Sequence, residues 1–180
     1  MKKAITLFVV LVFAFGCSDI QQKKQVSSVE QLQHKLEKME TRLKQDFPDT
    51  LSKMRLTMMQ VELKIKQNLV LDTIQLDFAA NMDDYKRARK AIGPINKQYL
   101  ALKKAMAEEQ NTLGKLHKDI ENGYGKRKSY DQYIANETKK IKQVEALNTD
   151  LFKAVRQLFD TYKMIHPKLN SLSNRLTSTL

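Results

Sequence analysis

Apolar residues return at alternating steps of three and four along most of this chain, the period of an α-helix that buries one face. Val29, Leu32, Leu36, Met39 and Leu43 make the first such stripe. Ser27-Ser28-Val29-Glu30 ahead of it reads as a capping box, so a helix is expected to start at Ser27. Pro48 should end it, because the residue before a proline avoids the helical region. A second helix, expected from Asp49 or Thr50, carries Leu51, Met54, Met58, Val61 and Ile65 on one face. The stripe then loses phase. Leu69, Val70, Leu71, Ile74, Leu76 and Phe78 cover more than one face, which means either burial on several sides or a shift in the repeat. The pattern resumes at Tyr85, Ala88 and Ile92. A helix unbroken over 50–92 would be roughly 65 Å long at 1.5 Å per residue.

Gly93-Pro94 is the strongest break signal in the body, since Gly suits a helix C-terminus and Pro the first turn of the next helix. A third stripe follows: Ile95, Tyr99, Leu102, Met106, Leu113, Leu116 and Ile120, with Glu109 as its polar exception. That carboxylate needs either solvent or a basic partner across the bundle. Gly123-Tyr124-Gly125 marks a turn, and Ser129-Tyr130-Asp131-Gln132 reads as a second capping box. The last helix has the most regular pattern. Ile134, Ile141, Asn148, Val155, Tyr162, Leu169 and Leu176 recur every seven residues, and Val144, Leu151, Leu158, Ile165 and Leu172 fill the second heptad position. Glu137 is the misfit of that second set. So long a heptad repeat favours coiled-coil packing, and Asn148 at a core position either fixes register or lies at the surface of a loose bundle. Pro167 falls off the seam, where a kink removes no core side chain.

Composition agrees with helix. The chain has no Trp, three Pro and five Gly, and Lys, Gln, Leu, Met, Ala and Glu are abundant. The expected fold is all-α, an elongated antiparallel three- or four-helix bundle with coiled-coil packing, its main hairpin formed by 94–122 against 129–165. Residues 27–180 form this bundle, and 17–26, polar and without an apolar stripe, read as a tether.

The first residues carry a different signal. Met1-Lys2-Lys3 is followed by an apolar run from Ala4 to Phe15, then Gly16, Cys17 and abruptly polar sequence. A basic start, an apolar stretch of about a dozen residues and a small residue at the cut form a secretory signal over 1–16. The run is shorter than the roughly 20 apolar residues that cross a bilayer. Ala14-Phe15-Gly16-Cys17 resembles the lipobox of bacterial lipoproteins, a family that favours Leu where Ala14 stands and a small residue where Phe15 stands. The resemblance implies that Cys17 becomes an acylated N-terminus, placing the protein at a membrane of the bacterial cell envelope. Without acylation, Cys17, the one cysteine of the chain, would be a leftover thiol with no disulfide partner. In layout the body is similar to helical lipoproteins that bind the cell wall, which also pair a lipobox with long heptad helices. Tyr130-Asp131-Gln132-Tyr133 contributes to that likeness, and no functional residue is implied by it.

Charge narrows the partners. The formal net charge of +12 loses Lys2 and Lys3 with the signal and falls to +10. Such an excess favours anionic surfaces: lipid headgroups, cell-wall polymers or nucleic acid. Export makes nucleic acid the weakest of these, and heptads allow a homo-oligomer. Tyr124, Lys126, Arg127, Lys128 and Tyr130 group aromatic and basic side chains at one turn, a combination suited to an anionic ligand. His34, His117 and His166 lie far apart and lack the i, i+4 partner of a helical metal site, so they read as surface residues. Asp83 and Asp84 ahead of Lys86, Arg87, Arg89 and Lys90 read as pairs on a solvated helix face. No catalytic set, phosphate loop, cofactor motif or metal motif is recognisable. The expected role is non-enzymatic, structural or interaction-based; the alternative is a periplasmic chaperone-like or binding module with a basic helical surface.

Overall fold

In the computed structural model, residues 2–43, 47–70, 73 and 75–178 are described, with side chains from Ile20 onward. Four helices follow one another: α1 Lys2–Arg42, α2 Phe47–Asn68, α3 Leu76–Asn122 and α4 Arg127–Ser178. The fold is an all-α helical bundle. It divides into two compact units, Met1–Arg42 with Lys103–Ala146 and Leu43–Leu102 with Leu147–Leu180, so that α3 and α4 each give one part to either unit.

In the first unit α1 packs with the end of α3 and the start of α4. The core is Val29, Leu32, Leu36 and Met39 from α1, Met106, Leu113, Leu116 and Ile120 from α3, and Tyr130, Ile141 and Val144 from α4. Asp119 meets Tyr130 while Glu109 meets Lys140, so each step forward on α3 is a step back on α4 and the pair is antiparallel. Gln21 pairs with Asp131 and Lys35 with Glu145, which makes α1 parallel to α4.

In the second unit the buried stripe of α2, Leu51, Met54, Met58, Val61 and Ile65, faces Tyr85, Ala88, Ile92, Ile95, Tyr99 and Leu102 of α3. Leu151, Leu158, Ile165 and Leu169 of α4 complete this core. Phe47 meets the Tyr99 ring at 5.4 Å and Glu62 meets Arg89, so α2 and α3 are antiparallel. Asn148 is buried at 5% exposure, which places it inside the seam, and its Oδ1 meets no donor. Past Pro167 the seam steps to Leu169 and Ser173, leaving Leu172 and Leu176 half-buried.

Several boundaries depart from the periodicity. α1 does not begin at Ser27: Ile20–Val26 is already helical, and the neighbouring Ser28 Oγ donates to the Lys24 carbonyl at 2.9 Å, one helical turn back. The tether expected over 17–26 is therefore a docked helix at least from Ile20, because Gln21, Gln22 and Gln25 find partners on α3 and α4. α1 stops at Arg42, and Pro48 is the second residue of α2, where a missing N–H costs nothing. The helix over 50–92 is interrupted between Asn68 and Leu76, and Val70 and Leu76 are 89% and 80% exposed. Gly93-Pro94, by contrast, does not break α3. Pro94 and Lys90 are exposed while Ile92 and Ile95 are buried, so the carbonyl deprived of its partner opens to solvent while the stripe stays in the core. α4 starts at Arg127, two residues before the expected cap at Ser129, whose N–H bonds the Lys126 carbonyl at 2.9 Å.

Among the described residues no helix is long and apolar enough to cross a membrane. Burial ranks the side chains by their effect on stability. Leu113 is fully buried, so Leu113→Ala should cost about 2–5 kcal/mol, whereas Leu147→Ala, at a site 56% exposed, should stay within about 0.5 kcal/mol. Urea denaturation of both variants measures the difference.

Candidate functional site

The turn between α3 and α4 is built first by the backbone. The last carbonyls of a helix have no partner within it. Here Gly123 N–H donates to the Ile120 carbonyl at 3.2 Å and Tyr124 N–H to the Asp119 carbonyl at 3.0 Å, a Schellman closure. It requires a left-handed residue, and Gly123 supplies it with φ 69°; Gly125 follows at φ 83°. Tyr130 reaches back from α4 and donates its hydroxyl to the same Asp119 carbonyl at 3.0 Å.

α1 then seals the turn from the side. Gln22 Nε2 donates to the carbonyls of Ile120 and Glu121 at 2.8 and 2.9 Å. Gln25, only 3% exposed, donates to Asp131 Oδ1 at 2.7 Å and to the Arg127 carbonyl at 3.3 Å, and Gln21 donates to Asp131 Oδ2 at 3.2 Å. These glutamines were not recognisable as site residues. Gln21 and Gln22 precede the first apolar stripe, and only the fold brings them to partners about a hundred positions away.

The five residues expected to meet an anionic ligand therefore divide. Tyr130 is 4% exposed, its hydroxyl is committed to Asp119, and burial raises its pKa; it is a structural residue and not a ligand contact. Arg127 is half-buried at the first turn of α4. Tyr124, 65% exposed, and Lys126 and Lys128, both exposed, remain on the outer surface. Their charge has the wrong sign for the helix they begin. A helix N-terminus carries about half a positive charge, and the first turn of α4 holds no acid. Lysines there cost stability locally but suit a bound anion. The side chain of Cys17 lies outside the described residues.

Glu109 and Glu137, the two polar exceptions to the stripes, form one cluster. Lys140 Nζ lies 3.0 Å from Glu137 Oε1 and 4.0 Å from Glu109 Oε1. The other oxygen of each carboxyl is buried and meets no donor from other groups. A proton on one carboxyl supplies the missing donor, and the two then bond each other. Burial first, then this bond, raises the Glu109 pKa to about 6, while the bond to Glu137 raises that of Lys140.

In the second unit His166 is not a plain surface residue. Its ring stacks on Tyr162 at 4.3 Å, and the hydroxyl of fully buried Tyr85 lies 2.5 Å from its Nδ1. Burial lowers the His166 pKa and raises that of Tyr85, and the phenol and the imidazole share one hydrogen bond. His117 is also partly enclosed, 3.3 Å from Glu121 and 3.5 Å from Glu30, whereas His34 is exposed beside Glu37. Arg89 leaves its expected helix-surface pairing to donate to Glu62 Oε1 at 2.6 Å, in a pair only 17% and 9% exposed. Arg87 keeps its pairing with Asp84. Among the described residues no group of three or more His, Cys, Asp or Glu is placed to hold a metal ion.

Comparison with protein-family models, curated proteins and solved structures found no match to this chain.

The carboxyl cluster gives a pH dependence with a definite sign. A carboxyl whose pKa is raised on folding stabilises the fold when protonated. That contribution is present below the ordinary value of 4.5 and is lost as pH rises through about 6. Glu109→Gln keeps the donor at every pH. Its stability relative to the native chain should therefore grow between those two values and level off above them, as followed by urea denaturation at a series of pH values.

Proposed function

We propose that this protein is a lipoprotein of the bacterial cell envelope, anchored to a membrane through Cys17, with a non-enzymatic structural or interaction role. The observation that carries this reading is the order of the first seventeen residues: two lysines, an apolar run too short to span a bilayer, Gly16 and then the one cysteine of the chain. Several acyl chains, each contributing about 0.8 kcal/mol per buried methylene, would hold the body at the bilayer. Cleavage before Cys17 would leave the docked part of α1 whole, since Gln21, Gln22 and Gln25 all lie beyond the cut.

A second reading, a binding or chaperone-like module, is favoured by one feature. α2 turns Leu56, Met59 and Leu63 outward, 59%, 43% and 54% exposed, along an open groove of about 340 Å³ edged by Lys66 and Arg89. The exposed apolar floor suits an unfolded client; Arg89 is paired with Glu62, which also lines the groove. Capture of unfolded outer-membrane proteins by the purified chain, lost in Leu56→Ser/Leu63→Ser, is its expected outcome; cosedimentation with isolated cell wall, unaffected by that change, supports the first reading instead.

The anchor has a direct test. Cells expressing the chain should incorporate labelled palmitate into it, and Cys17→Ser should abolish the label. A Cys17→Ser chain that still takes up label ends the lipoprotein reading.

A further inference from the structure

We propose that the turn between α3 and α4 is a second membrane contact, in which Tyr124, Lys126 and Lys128 meet the anionic headgroups of the bilayer that holds the lipid anchor. The inference rests on the lipoprotein reading and adds to it a site, an orientation and a lipid class.

The structure supplies the placement. Gln21 and Gln25 bind Asp131 on the first turns of α4, and Gln22 binds the last carbonyls of α3. The start of the docked part of α1 is thereby fixed beside the turn. Cys17 stands only four residues before Gln21. Four residues reach at most about 14 Å even when fully extended. Whatever the conformation of the residues between, an acylated Cys17 cannot carry the bilayer far from this turn. The basic side chains of the turn that come within about 8 Å of the headgroups escape most of the salt screening.

The chemistry matches the placement. Around the junction, residues 20–24 and 118–131 carry Lys23, Lys24, Lys118, Lys126, Arg127 and Lys128 against Asp119, Glu121 and Asp131. Asp131 is held by two glutamines, and Glu121 lies 3.3 Å from His117. The sequence here is basic by six side chains to three, and the exposed Lys126 and Lys128 stand at the N-terminus of α4, where they cost helix stability unless an anion is near. Tyr124 stands on the Schellman turn, exposed, with no core to fill; an amphipathic ring in such a position belongs at a headgroup interface. The rest of the turn is held rigidly by Gly123, Tyr130 and Gln22, so the contact surface is formed before any membrane is met.

The chain lacks tryptophan, so Tyr124→Trp introduces a single indole as a reporter. The full acylated chain carrying this change is reconstituted into vesicles of phosphatidylcholine, or of equal phosphatidylcholine and phosphatidylglycerol, each with brominated acyl chains. Flotation with the vesicles reads the anchor; quenching and blue shift of the indole read the turn. The expected result is flotation with both lipids, but quenching that is strong only with phosphatidylglycerol and falls as salt is raised. Lys126→Gln and Lys128→Gln should each lower the preference for anionic vesicles roughly fivefold, without changing flotation. Circular dichroism matching that of the native chain establishes that these variants are folded. A chain that floats while its indole stays in water overturns the turn contact and leaves the anchor standing. Failure to float overturns both. An indole shifted by isolated anionic cell-wall polymer and not by vesicles also overturns the assignment to lipid.

Discussion

Each of the two units is built on apolar packing between its parts of α3 and α4. In each unit it is this seam that a third helix joins, α1 in the first and α2 in the second. An isolated helix gains little stability in water, and packing of its amphipathic face supplies most of what it has. The seam also explains why Pro94 is tolerated: Ile92 and Ile95 stay buried on both sides of it, and that burial outweighs one lost backbone bond on the solvent face.

The polar residues that interrupt the seam each have a consequence. Asn148 is enclosed with an unmet oxygen, an arrangement that costs stability. Glu109 and Glu137 are tolerable together because Lys140 reaches both carboxyls. Tyr85, His166 and Tyr162 form a cluster of their own: the buried phenol of Tyr85 shares a hydrogen bond with the His166 imidazole, on which Tyr162 stacks.

The core was legible in the sequence because burial follows period. The four residues Val29, Leu32, Leu36 and Met39, the α2 stripe and the run from Ile95 to Ile120 all occupy the positions that spacing assigns them. Helix ends were not legible, because they depend on competition between local signals and tertiary contacts. Ser27 and Ser129 have the right neighbours for caps, yet in each case the helix continues upstream, where Gln21, Gln22 and Gln25 or the Lys126 carbonyl provide partners. The turn at Gly123 was legible, since two glycines so close together punctuate any helix. The separate fates of Tyr124 and Tyr130 were not: a tyrosine reads alike whether its hydroxyl faces solvent or a carbonyl eleven positions away.

The parallel course of α1 and α4 in the first unit has a mechanical side. Tension on an anchor at Cys17 would enter along the axis of α1. Because α1 runs alongside α4, that load slides the two helices past each other instead of peeling them apart. The hydrogen bonds of Gln21 and Gln25 to Asp131, the ion pair of Lys35 with Glu145 and the interlocked side chains of Val29, Leu32 and Leu36 would then resist together and not one after another. A body attached in this geometry would bear a pull at Cys17 as shear between α1 and α4.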